Sequence, residues 1–135
     1  MPVGFTEIEH TADYALRITG HNLTGLLVNA ARGMVSLMVA DPAALTAEVE
    51  HVLALEAIDA ESLLVDWLNE LAYWAEVDGL VFHQFDILAA EPARLKATLY
   101  GGYTLELQKH IKAVTFHNLQ IIETADGLET TVVFD

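Results

Sequence analysis

Residues 59–79 constrain most tightly how this chain can fold. Leu63, Leu64, Trp67, Leu68, Leu71, Ala72 and Ala75 recur at steps of three and four, and Trp74 widens the stripe. That spacing predicts a helix over residues 60–78 with one broad apolar face. Asp59 can cap its first turn, and Gly79 can supply the left-handed residue at its end. Trp67, Tyr73 and Trp74 read as core residues, not as a platform for a ligand. A face this apolar must be covered, and the surrounding segments have the pattern to cover it.

A second apolar stripe, Leu23, Leu26, Leu27, Ala30, Ala31, Met34, Val35 and Met38, predicts an earlier helix. Asn22 can cap it, and Asp41-Pro42 stops it near Ala40. Strands are expected over residues 1–5, 14–19, 48–58, 80–89, 94–100, 111–123 and 128–135. His51 falls on the Val49–Leu53–Leu55 side of its strand and reads as an edge or half-buried histidine. Gly101-Gly102 is expected to loosen the backbone into a weakly patterned connection over residues 103–110. Asp126-Gly127 is a strong hairpin signal. The expected fold class is α+β: one domain over residues 1–135, a mainly antiparallel or mixed β-sheet of about seven strands, and two packed α-helices.

Composition narrows function. The chain of 135 residues carries 20 acids and 6 bases, a net charge of −14. Such a surface repels phosphate backbones, so direct nucleic-acid binding is not expected. The favoured partner is a cation, a basic protein surface or simply water, the acids then serving solubility. There is no cysteine, which removes thiol catalysis and Cys-based zinc sites. No leader segment and no membrane span are expected, and a cytoplasmic location follows as the default.

Two features place acids where solubility alone would not. One is the polar knot Glu7-Ile8-Glu9-His10-Thr11-Ala12-Asp13 between two apolar runs. The other is Asp135, which follows the apolar strand Thr131-Val132-Val133-Phe134. Asp13 precedes one expected strand and Asp135 ends another. If those strands pair antiparallel, the two carboxylates meet and need a proton or a cation between them. Oxygen-only ligands suit hard ions such as calcium or magnesium. His10 is a candidate proton carrier, or a turn histidine bonded to backbone. Lys112 stands out because bases are scarce, although a lysine snorkelling from a strand is the plainer reading. No nucleophile elbow or phosphate loop is present, and Ser36 and Ser62 both fall in predicted helices.

The motifs resemble those of the archease family. Glu9-His10-Thr11-Ala12-Asp13, the segment Leu63-Leu64 through Trp67-Leu68-Asn69-Glu70-Leu71, the run Ile111-Lys112-Ala113-Val114-Thr115-Phe116-His117, and the closing Val133-Phe134-Asp135 occur in the family's order. The resemblance implies an α+β fold and a helper of RtcB-type RNA-splicing ligases that act in tRNA splicing. Such a helper is not itself catalytic: it promotes guanylylation and multiple turnover of the ligase. The resemblance also implies a metal site at Asp13 and Asp135, with calcium as the ion, and a functional role for Lys112, while His10 stands as a functional candidate from its place in the knot. Departures include His21-Asn22 after Gly20, where the family commonly has an acid or lysine followed by Thr or Ser. Two rival readings are a stand-alone metal-dependent hydrolase using His10, Asp13 and Asp135, and a chaperone-like protein binder.

Overall fold

The two apolar stripes form the helices α1 (Leu23–Met38) and α2 (Ala60–Asp78). Their ends are set by local chemistry. Asn22 Oδ1 accepts the Gly25 N–H at 2.9 Å, and Asp59 Oδ1 accepts the Ser62 N–H at 2.8 Å. Each bond satisfies a donor that the first helical turn leaves open. Gly79 closes α2 at φ 67°, a conformation that glycine adopts without cost. The structure, a computed structural model, describes residues 4–8, 14–115 and 118–135.

Seven strands complete the described fold: β1 (Phe5–Ile8), β2 (Tyr14–Gly20), β3 (Val49–Glu56), β4 (Leu80–Glu91), β5 (Arg94–Tyr103), β6 (Ile122–Thr124) and β7 (Gly127–Phe134). They form two antiparallel sheets, ordered β1-β2-β7-β6 and β3-β5-β4. The α+β expectation is met, with the strands divided between two sheets. Between them Leu27, Met34, Leu64, Trp67, Leu68, Phe82 and Phe134 lose almost all contact with solvent. Trp67 is polar at one atom. Its Nε1 donates to Leu27 O at 2.9 Å, so the buried indole ties α2 to α1 and leaves no donor unpaired.

Several local expectations need correction. The first described strand is Phe5–Ile8, so Glu7 lies within a strand and not in a turn. Tyr73 is 56% exposed, because it lies on the side of α2 that points away from both sheets. The Gly101-Gly102 pair does not loosen the chain. Both glycines are buried in β5, the central strand of its sheet, and a Cβ at Gly101 would come within 2.3 Å of Val81 O. His51 is half-buried on the edge strand β3, with its ring against Trp74 and Phe82.

Residues 111–123 do not form one strand. Val114 bridges to Phe134, and Ile122 pairs with Glu129, so the two ends of the segment lie along β7. Among the described residues, 118–121 lie outside the strands, and side chains take up several of the segment's hydrogen bonds. Asn69 Oδ1 accepts the Val114 N–H at 2.8 Å, Glu61 Oε2 accepts the Ile121 N–H at 3.1 Å, and the Thr130 hydroxyl donates to Gln120 O at 2.7 Å. Such long-range partners leave no periodic trace in the segment itself.

Candidate metal and partner corner

One end of the four-stranded sheet brings together two residues that the sequence singled out, Lys112 and Asp135. β2 begins at Tyr14 and β7 ends at Phe134, and these two residues are direct cross-strand partners. On the far side of β7, the Lys112 N–H donates to the Asp135 main-chain oxygen at 2.9 Å. The Asp135 N–H donates to Ala113 O at 2.9 Å, and the Thr115 N–H donates to Val133 O at 3.1 Å. Asp135 is therefore fixed through its backbone on the side of residues 112–115. Its side chain is exposed, and so is that of Lys112. The structure brings these two expected site residues together through main-chain bonds, with no ion pair between their side chains among the described residues.

Asp13 and His10 lie outside the described residues. What the structure does define is the pairing on which they were read: the strand that Asp13 precedes and the strand that Asp135 ends are antiparallel neighbours. Alternation puts Tyr14, Leu16, Phe134 and Val132 toward the core. Ala15, Arg17, Thr131 and Val133 belong to the opposite face, and Asp135 follows in that series.

Pattern reading overlooked one residue here. Lys109 Nζ lies 4.5 Å from the centroid of the Tyr14 ring and 3.6 Å from Glu7 Oε1. This ammonium couples β1 and the first residue of β2 to the connection after β5. Its side chain is only 26% exposed, so the contact is partly shielded from water. Residues 103–110 carry no periodicity, and that hid it. The only usable signal was compositional: a lysine is rare in so acidic a chain. A second tether nearby is His110 Nδ1, 3.0 Å from Glu76 Oε2 at the exposed end of α2.

Asp135, the described member of the expected pair, offers a carboxylate, and oxygen donors suit a hard cation. Among the described residues no group of three His, Asp or Glu side chains is arranged to hold a metal. No described helix is long and apolar enough to cross a membrane.

Known proteins bear the same pattern. Residues 5–135 match the model of the archease protein family. "Protein archease" from Methanosarcina barkeri is 35% identical over 95% of this chain and 92% of its own length. The Methanosarcina acetivorans protein of the same name is 38% identical over the same shares. Among solved structures, Methanobacterium thermoautotrophicum protein 1598 matches with a TM-score of 0.80 at 28% identity, covering 99% of both chains. An archease from Thermotoga maritima, described as a possible chaperone, matches with a TM-score of 0.66 at 26% identity over 95% of this chain and 94% of that one.

Proposed function

This chain belongs to the archease protein family, and from that membership we propose that it is an accessory activator of an RtcB-type RNA-splicing ligase, not an enzyme in its own right. The observation that carries this reading is the pairing of Tyr14 with Phe134. Asp13 is one peptide bond before the first, and Asp135 one after the second. Asp13 and Asp135 directly adjoin these two partners in the sequence, which supports reading the two carboxylates as ligands of one ion.

Asp13 and Asp135 would hold the cation, and calcium fits their hard oxygen donors. The ion, when bound, supplies a compact positive charge at the rim of an otherwise acidic protein. The chain's own groups do the rest. The Lys112–Asp135 and Asp135–Ala113 main-chain bonds hold Asp135 in place. Lys112, exposed beside it, offers an ammonium to a phosphate or an acid of the ligase. His10 adds a hydrogen-bonding group in the same polar knot. A net charge of −14 favours docking on the electropositive mouth of an enzyme that handles RNA and nucleotide.

The test is single-turnover guanylylation of the cognate ligase, with and without this protein. The parent accelerates the step, and Asp135→Asn and Asp13→Ala do so at least about tenfold less well, a loss of roughly 1.4 kcal/mol. Equal stimulation by parent and variants refutes the corner's role. Turnover of phosphoesters without any ligase favours the hydrolase reading. Broad suppression of aggregation that ignores Asp13 favours a chaperone-like binder.

A further inference from the structure

We propose that the cleft between α1, β1 and the turn Pro42–Ala44 binds a small amphipathic anion: an apolar body carrying one carboxylate. The site lies outside the corner described above and does not depend on it.

Four pieces of chain build it. Arg32, Val35 and Ser36 fall at steps of three and four on α1, so they share one helix face. Phe5 of β1 forms a second wall. It can approach because residue 33 is glycine: a Cβ there would lie 3.0 Å from Phe5 Cγ and 2.8 Å from Leu16 Cδ1. Pro42 and Ala43 form the third wall, and His83 of β4 the fourth. The open cleft has a volume of about 360 Å³, within the range of small-molecule sites.

His83 is placed there by an irregularity. Phe82 pairs with Gly101 and Gln84 with Tyr100, so His83 is the extra residue of a β-bulge. Bulges re-aim a side chain and recur beside functional sites. The ring's Nε2 lies 2.8 Å from Thr46 O. A carbonyl can only accept, so Nε2 carries a proton, and Nδ1 is left as a second polar atom of the ring. The same bond anchors the chain just after the 42–44 turn and so holds the third wall.

Charge selects the ligand. The chain has 20 acids and only 6 lysines and arginines, yet among the described residues the cleft is lined by Arg32 and by no acid. Arg32 is exposed and makes no ion pair among the described residues. Its planar fork matches a carboxylate. The repulsion from acids elsewhere is damped over a Debye length of ~8 Å at physiological salt, while a ligand in the cleft meets the guanidinium directly. Phe5, Val35, Pro42 and Ala43 then contact the ligand's apolar part. A polyphosphate or a bare inorganic anion would leave that wall unused.

The experiment is an amide NMR titration of the intact protein with octanoate, and in parallel with octan-1-ol. Saturable shifts confined to the surroundings of residues 5, 32–36, 42–46 and 83 are expected, with octanol at least about tenfold weaker. Arg32→Gln weakens octanoate by a similar factor, and Ala43→Trp, which fills the cleft, abolishes binding. Both positions are exposed, so both variants retain the fold, and unchanged spectra away from the cleft verify it. Absence of saturation, equal binding of the acid and the alcohol, or indifference to Arg32→Gln overturns the proposal. Displacement of octanoate by a short peptide ending in a free leucine carboxylate, but not by its amide, assigns a protein terminus as the source. Displacement by neither assigns a free acid, and either result upholds the site.

Discussion

Asn69→Ala tests how the candidate corner is held from behind. Asn69 Oδ1 is 2.8 Å from the Val114 nitrogen, and Val114 is only 4% exposed. Alanine removes the acceptor, and water has little access to replace it. A buried donor left unpaired costs about 1–3 kcal/mol. Unfolding entropy of about 2.1 cal/mol/K per residue converts each kcal/mol into roughly 3.5 °C for a domain of this size. Calorimetry should therefore show a Tm about 4–10 °C below the parent. Hydrogen exchange at the Val114 amide should accelerate beyond what the global loss explains. The Val114–Phe134 bridge adjoins Asp135, so stimulation of the ligase should fall as well. Asn69→Asp keeps an acceptor and should recover much of the exchange protection. A Tm within about 1 °C of the parent, together with unchanged exchange at Val114, refutes the reasoning, because 1 °C corresponds to well under 1 kcal/mol.

Trp67→Phe removes the bond to Leu27 O and leaves a void in the centre of the core. It should cost about 2–4 kcal/mol in urea unfolding, and a loss below about 1 kcal/mol contradicts the packing described. Lys109→Met keeps an apolar stem over Tyr14 but loses the charge. A double-mutant cycle with Glu7→Gln should give a coupling below about 1 kcal/mol that shrinks with salt. The Asp59 carboxyl is held below its ordinary value of 3.8, chiefly by the Ser62 N–H and then by the Ser62 side chain. Its stabilisation is therefore present above the ordinary value and lost as pH falls through the lower folded one. Melting of the parent and Asp59→Ala should accordingly differ at neutral pH and converge in strong acid; a gap that persists below about pH 2 counts against the cap.

Both helices were legible because everything that specifies them is local: a stripe at helical spacing, an Asn or Asp before it, and Gly79 or Asp41-Pro42 after it. The Asp126-Gly127 hairpin was legible for the same reason, and Gly127 takes φ 140° there. The pairing of the strand after the polar knot with the last strand could be stated only as a condition, and the register of Tyr14 with Phe134 meets it. Tyr73 misled because an apolar residue beside a wide stripe looks buried until the sheets define which side is covered. The segment after residue 111 misled because Val114, Gln120 and Ile121 bond to the side chains of Asn69, Thr130 and Glu61, up to 60 residues away in the chain. At the corner, Lys112 and Asp135 were read from motif and position. Lys109 was not, since its partners Glu7 and Tyr14 meet it only in three dimensions.

Calcium titration of the parent, Asp13→Asn and Asp135→Asn by isothermal calorimetry addresses the corner most directly. The parent should bind one ion, and each single variant should weaken it by at least about tenfold, with the melting temperature in calcium-free buffer unchanged. Variants that bind calcium as the parent does, or a parent that binds none, would contradict a cation shared between the two carboxylates.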